Sequence, residues 1–117
     1  MKCGVIRSDG RLIVPHAWRA DRPWSRLRGL LGRAPLRVDR AEALWLVPCG
    51  SVHTIGMGYP LDLVFLDRKG GVIDCHEHIE PWRMRRARGA YQTIEFAAGA
   101  LGSLKPRLGD AWTWELA

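Results

Sequence analysis

The chain has 117 residues, 47% of them apolar by type, six tryptophans and a formal charge of +6. A chain this long buries roughly two-thirds of its unfolded surface in one core, so a single domain over residues 1–117 is expected and disorder is excluded. No apolar run approaches the roughly 18–20 residues of a membrane helix, and the start, MKCGVIRSDGRLIV, is too polar at Ser8–Arg11 for a signal peptide.

A cytoplasmic protein with no membrane partner is therefore expected. Three cysteines (Cys3, Cys49 and Cys75) do not make a closed disulfide set, and reduced thiols are the default. Cys75 reads as a small core residue. The charge is uneven: residues 1–40 carry ten Lys/Arg against three acids, 41–82 two against six, and 83–117 six against three. The basic blocks suit anionic partners. Yet 15 of the 18 cations are arginine, which a GC-rich coding sequence explains equally well.

In chain order, CGVIR and RLIVP flank Ser8-Asp9-Gly10 and read as a hairpin with Asp-Gly in its turn. In ADRPWSRLRGLLGR, Asp21 suits an N-cap, Pro23 a first turn and Gly32 the C′ position. Trp24, Leu27, Leu30 and Leu31 form one apolar stripe, predicting a helix at about residues 22–32. ALWLV (43–47) and LDLVFLD (61–67) are apolar on both faces and read as central strands. In GVIDCHEHI (71–79), alternation sends Ile73, Cys75 and Ile79 one way and Asp74, His76 and His78 the other. AYQTIEFA (90–97) sets Ile94 and Phe96 against Thr93 and Glu95. GALGSLKPRLGD suggests a short helical turn, and AWTWEL sends Trp112, Trp114 and Leu116 to one face. Many short strands and one helix predict a mostly β (α+β) fold: a small, closed or strongly curved, antiparallel β-barrel-like domain with the helix packed on it.

RLRGLLGR (26–33), CGSVHTIGMGYPLDLVFLDRKGGVI (49–73), PWR (81–83), GAYQTIEFAAG (89–99) and LGD (108–110) follow the order and spacing of a family known as domain of unknown function 192. The chain resembles that family over about residues 20–117. The resemblance implies a compact, mostly β domain with one helix and no established activity. Relatives often carry a cysteine where this chain has Ala87, so a pairing of that cysteine with the one at Cys49 is absent here. Many relatives also look exported, and because MKCGVIRSDGRLIV does not read as a leader, their extracytoplasmic role is not expected to carry over.

Five sets of residues carry candidate chemistry. If residues 49–53 are extended, Cys49, Ser51 and His53 share a face, about 7 Å between alternate residues. If TIGMGYP is a hairpin loop, Asp62 falls near His53, and Ser51, His53 and Asp62 form a candidate nucleophilic triad. No nucleophile elbow supports it, and an Asp–His pair that merely ties down a glycine-rich loop is the stronger reading. Met57 and Tyr59 at the loop tip either wall a ligand site or anchor the loop in the core. Glu95 either pairs with an arginine on a neighbouring strand or joins Asp62 and His53 in an acidic ligand cluster.

Asp74, His76 and His78 on one strand face could reach a single zinc ion, although a solvated polar face is the more ordinary outcome. Trp82 among Arg83, Arg85, Arg86 and Arg88 pairs a stacking ring with phosphate-binding groups, although arginine packing on tryptophan explains it without nucleic acid. No cofactor motif is present and none is expected. The reading that results is a binding or accessory module for a small ligand or a protein. Its site lies at the 49–62 loop, on His53, Met57, Tyr59, Asp62 and Glu95. A small hydrolase and a nucleic-acid-associated protein stand as alternatives, and whether the chain is an enzyme stays open.

Overall fold

The computed structural model describes residues 1–22, 30, 34–39 and 41–117. Of the helix expected at about 22–32, all but Arg22 and Leu30 lies outside the described residues. The chain opens with the expected hairpin, β1 (Lys2–Ser8) and β2 (Arg11–Ala20). Asp9 and Gly10 turn it with φ of 50° and 83°, the two left-handed residues that a two-residue hairpin of matching twist requires. The remaining strands are β3 (Ala43–Leu46), β4 (Ser51–His53), β5 (Leu61–Leu66), β6 (Val72–Ile79), β7 (Met84–Arg86), β8 (Gln92–Ala97) and β9 (Trp112–Leu116). One short helix, α1 (Ala100–Leu104), precedes β9.

Seven strands form one sheet in the order β6-β5-β8-β3-β2-β1-β9, and β4 pairs with β7 in a separate two-stranded ribbon. The sheet curls until its edge strands approach. Gly71 and Ala111 bridge, Trp112 N donates to Gly70 O at 2.8 Å, and Val72 N donates to Asp110 O at 2.8 Å. Gly109 N also donates to Val72 O at 2.8 Å, but β6 and β9 form no continuous ladder among the described residues, so the sheet is strongly curved but not closed, and the barrel description is too strong. Nor is it wholly antiparallel, because β2 and β3 run parallel, with Ala17 opposite Ala43 and Ala20 opposite Leu46.

The curl creates two cores. Ile6, Val14, Trp45, Val64, Phe96 and Trp112 face inward, where Ala100 and Leu101 of α1 join them. Leu44, Leu46, Leu61, Leu63 and Phe65 face the other way, against Leu36, Val52 and the half-buried Met57 and Tyr59. This is why β3 and β5 read as apolar on both faces: every residue in each is buried.

One expected alternation fails. Opposite β5, Leu61 aligns with Ile79 but Leu63 with His76, so a β-bulge inserts an extra residue near His78, whose φ is 53°. The bulge turns Ile79 into the outer core while Cys75 stays against the inner one, so the two do not share a face.

Gly70 is where the closure of the curl is most sensitive. Its φ is 88°, and a Cβ added there would sit 2.3 Å from Trp112 O. At Gly10, with φ of 83°, an added Cβ meets nothing within 4 Å. Gly70→Ala is expected to lose at least about 2 kcal/mol in urea unfolding, and Gly10→Ala only about 1 kcal/mol. Equal losses at both positions would show that the Gly70–Trp112 approach is not tight.

Candidate functional site

The segment between β4 and β5 is fastened by Thr54, which is buried. Its hydroxyl donates to Glu80 O at 2.7 Å and accepts from Arg83 N at 2.8 Å. Its own amide donates to Arg83 O at 2.8 Å, and its carbonyl accepts from Trp82 N at 3.1 Å and Met57 N at 3.2 Å. One threonine thus ties the glycine-rich loop to the turn between β6 and β7. The loop is not the tip of a β4–β5 hairpin. Both edges of β5 are occupied, by β6 and β8, so β4 has no place beside it and pairs with β7 instead.

That pairing separates the Ser51, His53 and Asp62 set. Ser51 and His53 are exposed on the ribbon, opposite Arg86 and Met84. Asp62 is fully buried in β5, and its carboxylate accepts from His78 N at 2.8 Å, Gly99 N at 3.0 Å and Leu101 N at 3.1 Å. Both of its oxygens are committed to backbone amides, of the β6 bulge and of the start of α1. No hydrogen bond joins Asp62 to His53 among the described residues.

Asp62 and Glu95 also leave the sheet on opposite faces. Asp62 sits opposite Phe96, which faces inward, while Glu95 sits opposite Leu63, which faces outward. Glu95 is 4% exposed, flanked in its rung by Leu44 and Leu63, and makes no ion pair among the described residues. Its Oε1 is buried without a hydrogen-bond partner. Burial pushes its carboxyl up to about 8. The Tyr59 phenol is raised too, by burial first, with the Glu95 charge adding to it. Leu36 backbone lies near the Tyr59 hydroxyl but outside hydrogen-bonding geometry.

The ribbon itself presents an unusual outer face. Val52 points into the outer core, so its partner Arg85 is drawn inward and is half-buried. Met84 points outward with His53 and is 65% exposed. Trp82, just before β7, is 66% exposed and held at φ 66°, and Ile55 after Thr54 is 46% exposed. Arg83, Arg86 and Arg88 are exposed beside them. The arginine-on-ring contacts among the described residues are Arg19 over Trp114 and Arg68 over Tyr91, so arginine packing does not cover Trp82.

On β6, His76 Nε2 contacts Asp74 Oδ2 at 3.0 Å, and His78 Nε2 contacts Glu80 Oε1 at 2.8 Å. Each histidine has its own carboxylate, the bulge lies between them, and no group of three or more metal-type ligands forms among the described residues. No disulfide is formed by Cys3, Cys49 or Cys75 among the described residues. Burial, then the charges of Asp74, Glu77 and Asp110, pushes the Cys75 thiol up to about 11, which keeps it protonated and inert. Among the described residues, no helix is long and apolar enough to cross a membrane.

A strongly curved mixed sheet, roofed on its outer face by a two-stranded ribbon and a glycine-rich loop, defines the class of fold. The chain matches the model of the DUF192 family, described as uncharacterized ACR, over residues 5–114, and it belongs to that family. A crystal structure of a candidate transcription regulator from Sinorhizobium meliloti 1021 has the same fold. It superposes with a TM-score of 0.80 at 20% identity, over 96% of this chain and 93% of that one. A protein of unknown function from Novosphingobium aromaticivorans DSM 12444 is similar with a TM-score of 0.78 at 18% identity, over 96% and 84%. No curated protein matches the chain.

Sequence reasoning passed over Thr54, Ile55 and Met84. A hydroxyl residue directly after β4, at the entry to a glycine-rich loop, was the available signal for Thr54. Met84 carried none, because MRR is too short to read as a strand.

Two outcomes follow from this geometry. Asp62→Ala removes the acceptor of three backbone amides, that of the buried Leu101 among them, and is expected to lose about 3 kcal/mol or more in chemical unfolding, while His53→Ala stays within about 0.5 kcal/mol of the parent. The pH dependence has a definite sign. A carboxyl ordinarily titrates near 4.5, but Glu95 titrates near 8 when folded, so between those values the folded state holds a proton that the unfolded state has lost. Stability therefore falls as pH rises across that window, by up to about 1.4 kcal/mol per unit. Thermal melts from pH 5 to 9 should show this fall in the parent and a flatter profile in Glu95→Gln; parallel profiles would refute it.

Proposed function

We propose that the chain is a binding module whose contact face is the outer surface of the β4–β7 ribbon, and that its partner is an acidic protein segment with apolar side chains. One observation carries this reading: Trp82 is 66% exposed on a backbone held at φ 66°. A left-handed conformation at a bulky residue is uncommon and carries strain, and such strain persists where the surroundings enforce it. Here the Thr54 hydrogen bonds enforce it, and the result is an indole presented to solvent.

The neighbours agree in chemistry. Tryptophan, methionine and arginine are the residues enriched at protein interfaces, and Trp82, Met84, Arg83, Arg86 and Arg88 share this region. Glu80, the carboxylate next to it in the chain, is hydrogen-bonded to His78 and is outnumbered by Arg83, Arg86 and Arg88, leaving the face positive. An acidic partner complements that charge. Single-stranded nucleic acid would use Trp82 and the arginines but would leave Met84 and Ile55 without a role, since bases stack on flat rings. A hydrolase would need Asp62 to orient His53, and Asp62 is committed to backbone amides.

The test is binding of a fluorescent peptide that alternates Asp or Glu with Leu and Phe, with oligo-dT as the second arm. The peptide is expected to bind in a salt-sensitive way, and Trp82→Ala to weaken it about thirtyfold, or ~2 kcal/mol, with an unchanged melting temperature. Equal binding by Trp82→Ala would sink the proposal. Tighter binding of oligo-dT than of the peptide would transfer the face to nucleic acid.

A further inference from the structure

A second face of the molecule, independent of the ribbon, carries a different chemistry. Where the β5–β6 turn meets β9, a cleft of about 210 Å³ opens, lined by Arg19, Arg68, Lys69, Trp45 and Trp114 with Gly70 at its edge. We propose that this cleft is a binding site for a small oxyanion of the phosphate or phosphomonoester type.

The charge around the cleft is one-sided. Three cationic side chains line the cleft and no carboxylate does. Among the described residues the ion pairs are Arg7–Glu115, Arg37–Asp39, His76–Asp74 and His78–Glu80, and none involves Arg19, Arg68 or Lys69. The acid beside them in sequence, Asp67, is already used, since its Oδ1 accepts from Lys69 N and Gly71 N, both at 2.9 Å. Like charges brought together without a counter-charge repel, and an anion between them relieves the repulsion.

The hydrogen-bond accounting points the same way. Arg19 Nε is buried and has no acceptor among the described residues, although a buried donor without a partner is costly. Trp112, another residue of the wall, also has its indole Nε1 buried without an acceptor among the described residues, while other donors of the wall are matched. Trp45 Nε1 donates to Gln92 Oε1 at 3.0 Å, Gln92 Nε2 to Asp67 O at 3.0 Å, and Trp114 Nε1 to Ala17 O at 2.9 Å. What remains unmatched at this wall is donor capacity, cationic from Arg19 and neutral from Trp112, which selects an acceptor-rich ligand.

Two of the cations are also held in place. The Arg19 guanidinium lies 5.3 Å from the centre of the Trp114 ring, and that of Arg68 lies 4.1 Å from the centre of Tyr91. Aromatic support orients a guanidinium without neutralising it, leaving its planar fork for an oxyanion. Size sets the ligand class. The cleft is smaller than the roughly 300–1,000 Å³ of drug-sized sites, so it takes the anionic group and little more.

The experiment uses the full chain in phosphate-free buffer, titrated by calorimetry with inorganic phosphate and with phenyl phosphate. The tryptophan indole N–H resonances are followed in parallel by NMR. Saturable binding is expected, with the Trp45 and Trp114 resonances moving. Arg68→Gln and Lys69→Gln lie on an exposed turn, keep the fold, and are each expected to weaken binding at least tenfold. Arg19→Gln is expected to abolish it and Arg19→Lys to retain part of it. Arg83→Gln, on the ribbon, is expected to leave it unchanged. Absence of saturable binding by both anions overturns the proposal. So does binding that Arg68→Gln and Lys69→Gln leave intact, or that Arg83→Gln weakens equally. None of these outcomes depends on whether the ribbon binds a peptide.

Discussion

The central strands β3, β5 and β8 are buried on both faces, and that constraint shapes the rest of the molecule. A sheet with one wet face needs a single cover, but Leu44 and Trp45, neighbours in β3, are buried in opposite directions. One side is covered by the curl of the sheet itself, which brings Ile6, Val72 and Trp112 from its outer strands over the inner face with α1. The other side needs a separate roof. The β4–β7 ribbon, the glycine-rich loop and the segment around Leu36 supply it. The loop is therefore part of the hydrophobic economy of the fold, and Met57 and Tyr59 are anchors within it.

Roofing a sheet with irregular chain raises a second problem, because loops carry backbone groups that are expensive to bury unpaired. Two polar side chains resolve much of it. Thr54 engages four residues across the loop and the β6–β7 turn, and Asp62 gathers three amides from the β6 bulge and the start of α1. Glu95 is the exception, a buried carboxyl whose Oε1 has no hydrogen-bond partner among the described residues and whose neutral form burial favours. The residues that most resemble catalytic groups in this chain are thus largely the ones that make its loops buriable.

Local pattern was a good guide wherever the structure is local. The Asp9-Gly10 hairpin, the doubly apolar strands at 43–46 and 61–66, and the opposed faces of Ile94 and Glu95 were all legible, because period and turn chemistry report burial directly. Pairing between distant strands was not. The spacing of His53 and Asp62 invites a hairpin, and only the occupancy of both β5 edges forbids it. The bulge at His78 was hidden for a similar reason, since its cause is Asp62 on another strand. Trp82 and its arginines were visible as a cluster, but the exposure of the ring depends on the Thr54 knot. The cationic cleft was invisible, because Arg19, Arg68 and Trp114 are far apart in the chain and meet only through the curl.

The pairing of β1 with β9 has a kinetic consequence. Gly4 lies opposite Leu116 and Ser8 opposite Trp112, so this ladder closes a loop of nearly the whole described chain. Contacts of such sequence separation carry the largest loop-closure entropy and tend to form late, which places the fold among the slower small domains. Until β9 docks, β1 is an open sheet edge and the inner core lacks one of its two buried tryptophans, Trp112. An intermediate of that form is sticky, and the time it persists governs how readily this chain aggregates while folding.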